Sequence, residues 1–348
     1  MYSLILSWMT LPHVDKHLKT WALLLATILS VLLGCGPALA GDEEQRMPDY
    51  ATFNKDATLI TYIDVVTAAG EMLANTTEIW TVSSDGKNKR QLTKGHLDFR
   101  PRFSPDGKHI IFERDGSGEI WMMDVNGEDM RNLTQTPDVK ETDAYFSNDG
   151  NSLFFLAYTP YHMTNEQLAA KPRLALGIGA NKFVVQLNLK DGTRRQLLGQ
   201  EYGASAVFTD PSDDKTIFVL CNAFKADGTP DFLGETVVVS MPLGGGEPHT
   251  FYTPPKGYDI NMARSNSQYL VLSLSTPDEF GSQTFLLSKA DGATATTKDL
   301  KKLENFTFLG DLSYNGQVIG RALTNGTDHW GLIVYDIAAD KWHTVLEH

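Results

Sequence analysis

Two cysteines in 348 residues, Cys35 and Cys221, are too few for a disulfide framework. Basic residues are outnumbered, with 30 Lys and Arg against 43 Asp and Glu, for a net charge of −13. That balance argues against nucleic acid, whose phosphates need clustered Lys and Arg, and against adhesion to anionic lipid. No G-x-S-x-G nucleophile elbow occurs. His96, His109, His162, His249, His329 and His343 are scattered, without the H-x-x-x-H or H-x-H spacing of a metal site. Gly177 and Gly179 lack the strand–glycine–helix setting of a nucleotide loop. Apolar material is plentiful: 42% of residues are hydrophobic and 10% aromatic, enough for a large core and incompatible with wholesale disorder.

Residues 21–33 form an uncharged apolar run preceded by Lys16 and Lys19, the pattern of a signal peptide. The run is short for a spanning helix, which needs roughly 20 apolar residues. Translation starts at Met1 or Met9. Ala38-Leu39-Ala40 offers an ordinary A-x-A cleavage site, leaving a soluble periplasmic or secreted protein. Leu32-Leu33-Gly34-Cys35 resembles the bacterial lipobox, and this is the preferred reading because the cysteine closes the apolar run. The resemblance implies cleavage before Cys35 and lipidation of its thiol. Gly36 stands where inner-membrane retention would place Asp, so an outer-membrane lipoprotein facing the periplasm is expected. Loss of residues 1–34 removes Lys16, Lys19 and Asp15 and moves the net charge to −14. Residues 35–48 are then a tether, and Cys221, in the run Ile217-Phe218-Val219-Leu220-Cys221, is expected to be a buried thiol.

The remainder, 49–348, reads as one repeated unit. The clearest copy runs through Phe103-Ser104-Pro105-Asp106-Gly107, Ile110-Ile111-Phe112, Ile120-Trp121-Met122-Met123, Asn126-Gly127 and Asn132-Leu133-Thr134. Pro-Asp-Gly reverses the chain, the β-rich runs are strands, and Asn-Gly closes a hairpin. First-turn anchors at Asp56, Asp106, Asp149, Asp213, Asn266 and Asn315 mark six copies, about 50 residues apart, the length of a four-stranded blade. The expected fold is all-β: a six-bladed β-propeller of four-stranded antiparallel blades, which hides strand edges by radial repetition. A solenoid is the alternative, but it would want polar caps.

Phe103-Ser104-Pro105-Asp106-Gly107-Lys108, with Ile120-Trp121-Met122-Met123-Asp124 and Asn132-Leu133-Thr134, resembles the TolB-type propeller repeat, also called PD40 or WD40-like. The resemblance is strong in three copies and weak in three. Between Cys35 and Asp49 there is no room for the α/β domain that precedes the TolB propeller. Prolyl-oligopeptidase relatives carry a hydrolase domain, of which no elbow is present. The related propellers of oligogalacturonate lyases imply a histidine-rich metal centre, which this sequence does not display.

Long insertions fall on one face of such a propeller, at residues 67–77, 159–181 and 222–234, and binding residues gather on long loops. The third copy's insertion carries Tyr158, Tyr161, His162 and Met163 ahead of a capped stretch at 164–170. With His96 and Tyr202 these are the partner-binding candidates. Inner strands supply Asp98, Arg100, Arg102, Glu141, Asp143 and Asp259, with Glu201 on the approach. Asp98, Glu141 and Asp143 either hold Ca²⁺, which takes six to eight oxygens, or cap turns and pair with Arg100 or Arg102. The preferred reading is a monomeric, non-catalytic envelope protein that holds a protein or peptide partner on the loop-rich face. The alternative is a carbohydrate-active lyase or hydrolase at the pore mouth, using His96, His162, Glu141 or Asp143.

Overall fold

A computed structural model describes residues 45–67, 76–114, 118–136, 138–159, 182–225, 227–229, 231, 235–276, 282–289, 301–303, 308–323 and 330–347. Six four-stranded antiparallel sheets succeed one another along the chain. Blade 1 contains β1 (Gln45–Phe53), β2 (Leu59–Thr67), β3 (Thr76–Ser83) and β4 (Arg90–Gln91). Blade 2 contains β5 (Asp98–Phe103), β6 (His109–Arg114), β7 (Ile120–Asp124) and β8 (Arg131–Asn132). Blade 3 contains β9 (Lys140–Phe146), β10 (Ser152–Tyr158), β11 (Phe183–Asn188) and β12 (Arg194–Leu198). Blade 4 contains β13 (Ala206–Asp210), β14 (Asp213–Asn222), β15 (Thr236–Pro242) and β16 (His249–Tyr252). Blade 5 contains β17 (Asp259–Ser265), β18 (Tyr269–Ser275), β19 (Gln283–Ser288) and β20 (Lys301–Leu303). Blade 6 contains β21 (Phe308–Leu312), β22 (Gln317–Leu323), β23 (Trp330–Asp336) and β24 (Lys341–Glu347). The sequence expectation of six four-stranded blades holds. The first strand begins earlier than expected, however: Gln45 pairs with Thr67, so residues 45–48 belong to blade 1 and not to a tether.

Second strands are sandwiched between neighbouring blades, which explains their continuous apolar runs. Ile110 and Phe112 face blade 1, packing with Ile63 and Ile79, whereas Ile111 faces blade 3, packing with Phe155 and Val185. Blade 3 repeats the arrangement, with Leu153 and Phe155 toward blade 2 and Phe154 and Leu156 toward blade 4. Each fully buried side chain of this kind contributes about 1.5–3 kcal/mol. Cys221 is buried in the same way, and burial pushes its thiol up to about 12.

The turns between first and second strands follow from their side chains. Asp106 accepts from Ser104 Oγ at 2.6 Å and Lys108 N at 3.0 Å, and Asp149 does the same with Ser147 and Asn151. Gly107 (φ +70°) and Gly150 (φ +71°) supply the left-handed residue. Blade 4 departs from the expected anchor. Its turn is shorter, and Asp210, not Asp213, accepts from the backbone and hydroxyl of Ser212, while Asp213 accepts from Lys215 N.

The ring closes without strand exchange, since blade 1 is built from one end of the described chain and blade 6 from the other. Closure rests on packing. Ile60, Tyr62 and Val82 meet Ile319, Leu332 and Val334, and Arg321 pairs with buried Asp49 at 3.2 Å. Asp311 accepts from Phe53 N at 3.0 Å. The tightest approach is at Gly310, where an added Cβ would lie 2.7 Å from Ala51 O and 2.8 Å from Ile319 O. Gly310→Ala is therefore expected to cost about 1–3 kcal/mol by overpacking the closure. Gly244→Ala, where a Cβ meets nothing within 4 Å, should stay within about 0.5 kcal/mol. Urea midpoints of the two variants check the difference.

Candidate functional site

First strands line the axis, and in three blades they carry the same device. Tyr50-Ala51, Arg100-Pro101 and Asp143-Ala144 are β-bulges, two residues opposite one on the second strand. The first residue of each is left-handed although not glycine: Tyr50 φ +47°, Arg100 φ +49° and Asp143 φ +55°. Such a conformation is costly for a side-chain-bearing residue, and bulges re-aim side chains. The second residue is small or cyclic, which lets adjacent inner strands approach.

Strand order places the entrance ends of the inner strands on the same face as the interblade connections and second-to-third loops. Arg100 Nη1 donates to Glu113 Oε2 at 2.9 Å and to Thr142 Oγ1 at 3.1 Å, and its guanidinium lies 5.3 Å from the Tyr50 ring centroid. Glu113 also accepts from Asp143 N at 2.8 Å, joining blade 2 to blade 3. Burial works against the Arg100 charge, but Glu113, Tyr50 and Asp143 outweigh it and hold the guanidinium above its ordinary value. A third of the Arg100 side chain is nevertheless open. Enclosure combined with access locates it in a channel, not on the outer wall. Tyr158 joins this mouth from the end of β10, where burial, then Glu113, push its phenol up. Lys182 Nζ lies 5.8 Å from the Tyr158 ring centroid. Burial, then Arg100, lower the Lys182 ammonium, with Asp143 and Glu113 offsetting part of the effect.

Deeper along the axis, Tyr145 sits between two arginines, with Arg102 at 3.7 Å and Arg264 at 5.4 Å from its ring centroid. Arg102 pairs with Asp143 at 3.4 Å, and Arg264 stands 3.8 Å from Asp311. Burial raises the Asp311 carboxyl above the ordinary aspartate value against the pull of Arg264 and Arg102.

The structure brings together Arg100, Arg102, Asp143 and Tyr158 but disperses the other candidates. Asp98 is fully buried and receives Arg114 Nε at 2.9 Å and Nη2 at 3.0 Å. Glu141 is held by Arg194 at 3.1 Å and by Thr136 Oγ1, and burial raises its carboxyl. Asp98, Glu141 and Asp143 thus each face a different arginine, and among the described residues no three His, Cys, Asp or Glu side chains converge as a metal-ligand set. Asp259 accepts from Thr236 N at 3.3 Å. His96 lies in the connection between blades 1 and 2, its carbonyl accepting from Thr77 N at 2.9 Å. Glu201 and Tyr202 occupy a 3-10 turn between blades 3 and 4, with Tyr202 edge-on to Phe224 at 6.0 Å. Cys35, Tyr161, His162 and Met163 lie outside the described residues. Sequence reasoning passed over Tyr50, Glu113, Tyr145, Lys182, Arg264 and Asp311. Aligning the residue three positions before the end of each of the first three inner strands would have found Tyr50.

Asp98 is therefore architectural. Asp98→Asn leaves the Arg114 charge with a neutral partner at a buried site, and breaking such a pair costs about 3–5 kcal/mol. Chemical denaturation should register that loss. A change below about 0.5 kcal/mol, the range of ordinary surface substitutions, would contradict this assignment.

No family model matches the sequence, and no curated protein matches it. Solved structures do. An oligogalacturonate lyase from Vibrio parahaemolyticus is 11% identical, with 88% of this chain and 80% of that chain covered and a TM-score of 0.57. An oligogalacturonate lyase in complex with manganese is 15% identical over the same shares, with a TM-score of 0.58. TolB from Acinetobacter baumannii is 14% identical, covering 94% of this chain and 69% of that one, with a TM-score of 0.56. Likeness at these identities is likeness of fold. With its six four-stranded blades, each built from one continuous stretch of sequence, this chain is a six-bladed β-propeller that shares its fold with TolB and with the oligogalacturonate lyases.

Proposed function

We propose that the protein is an exported, lipid-anchored envelope protein that holds a peptide or protein partner on the loop-rich face of its propeller. The observation that carries the reading is the mouth formed by Tyr50, Arg100, Tyr158 and Lys182. Aromatic faces and partly accessible cations gather there at the loop-rich end of a rigid channel, a setting suited to recognition. The opposite face ends in short Asp-Gly and Asn-Gly turns. The TolB likeness supports a binding scaffold without naming a partner. Lipidation of Cys35 would tie the ring to a membrane, each buried CH₂ contributing about 0.8 kcal/mol.

Photo-cross-linking probes test the surface. Probes at Lys94 and Tyr158, on the loop-rich side, should yield a discrete adduct in envelopes, and a probe at Lys108, in the opposite turn, should not. Equal yields at all three positions would overturn the reading. The anchor has its own readout: Cys35→Ser should release the protein from the membrane fraction and abolish labelled palmitate incorporation.

The likeness to two oligogalacturonate lyases favours a second reading, a carbohydrate-active enzyme. Turnover of oligogalacturonate with added Mn²⁺, lost in His162→Ala, would establish it in place of the first. Glu141 and Asp143 fit acid–base roles poorly, because their carboxylates are engaged by Arg194 and by Arg102 and Val207 N.

A further inference from the structure

Deep in the channel, Tyr145 Oη, Arg102 Nε and Arg264 Nε are buried without hydrogen-bond partners among the described residues. The residues that carry them are 7%, 7% and 6% exposed. Unsatisfied donors in such surroundings are costly. The neighbouring carboxylates do not match this donor set. Asp143 meets Arg102 at a long 3.4 Å and gives its other oxygen to Val207 N. Asp311 is 3.8 Å from Arg264 and gives Oδ2 to Phe53 N. A guanidinium offers five N–H donors in a fixed fork; one from Arg102 reaches Asp143 and one from Arg264 reaches Ala263 O.

Nearer the mouth, Lys182 contacts the Tyr158 ring and forms no ion pair among the described residues. Arg100, Arg102, Lys182 and Arg264 stand among Glu113, Asp143 and Asp311, and the inner strand of blade 5 adds Asp259. Net charge does not single out an anion here; the unpaired donors of Arg102, Arg264 and Tyr145 do.

We infer that the channel is a carboxylate site: a terminal or side-chain carboxylate of the partner peptide passes Lys182 and Arg100 and is taken by Arg102, Tyr145 and Arg264. The inference rests on the partner reading above and names the chemistry that reading leaves open. A planar two-oxygen acceptor matches guanidinium forks, and the phenol supplies a further donor. The peptide occupant follows from the partner reading; an acidic saccharide presents the same carboxylate and is one of the outcomes of the test.

Fluorescein-labelled tetraglutamate with a free C-terminus, titrated into the full chain at low salt, tests this against tetraglutamine amide. Tetraglutamate should bind at least about tenfold more tightly, the scale of one charge-assisted hydrogen bond. Lys182→Met should weaken it about fivefold to tenfold without moving the melting temperature. Arg264→Lys, which keeps the charge opposite Asp311 but loses the fork, should weaken it on the same scale. Equal affinity for the two peptides, or tetraglutamate binding unmoved by both substitutions, overturns the inference. Binding of tetragalacturonate without tetraglutamate overturns the peptide occupant. If adducts at Lys94 and Tyr158 persist while tetraglutamate fails to bind, the carboxylate site falls and the partner reading stands. Tetraglutamate binding without adducts gives the converse.

Discussion

A ring whose two ends never share a sheet must be closed by side chains, and the seam between blades 6 and 1 shows how this is done. Gly310 lets β21 approach Ala51 O closely enough that no Cβ fits. Around that contact, Arg321 crosses to Asp49, and Phe53 N donates back to Asp311. Apolar packing supplies the bulk of the cohesion, but it is non-directional and would tolerate sliding of one blade over another. The buried polar contacts fix the register, because a displaced Asp49 or Asp311 would be left as an unpaired charge.

The same logic runs around the axis. Thr52 Oγ1 donates to Pro101 O, Arg100 donates to Thr142, Val207 N donates to Asp143, and Asn266 donates to Ser313 O. Lys289 of blade 5 reaches Asp210 of blade 4. Each contact joins one blade to the next, and most involve inner strands or the turns that follow them. The channel lining and the fastening of the ring are therefore largely one set of residues. A rigid lining follows, and rigidity lowers the entropy lost when a ligand is held.

Much of the architecture was legible because turn chemistry is local. Asp106 and Asp149 accept from residues two positions away, so their role can be read from a short stretch of sequence. Strand runs such as Ile110-Ile111-Phe112 were legible because burial on both faces leaves no room for polar alternation. The channel was harder to read. Tyr50, Arg100 and Asp143 occupy one structural position yet share no chemistry, so no motif announces them. Lys182 follows a long insertion, and only the fold returns it to Tyr158. Blade 4 misled for a related reason: the shorter turn moves the anchoring role to Asp210, in a stretch with three candidate acids, Asp210, Asp213 and Asp214.

The distribution of carboxylates bears on what such a ring can do. Asp98, Glu141 and Asp49 are bound to Arg114, Arg194 and Arg321 at 2.9, 3.1 and 3.2 Å. A general acid or base must exchange its proton with substrate, and a carboxylate whose oxygens are engaged by a guanidinium is poorly placed for that exchange. The arginines of the deep channel differ, since their carboxylate contacts are long and several of their donors remain unspent. The fold thus uses Asp98, Glu141 and Asp49 for cohesion and leaves donors of Arg102 and Arg264 unpaired in its interior. An interior of that kind offers hydrogen-bond donors that an anionic group could take up.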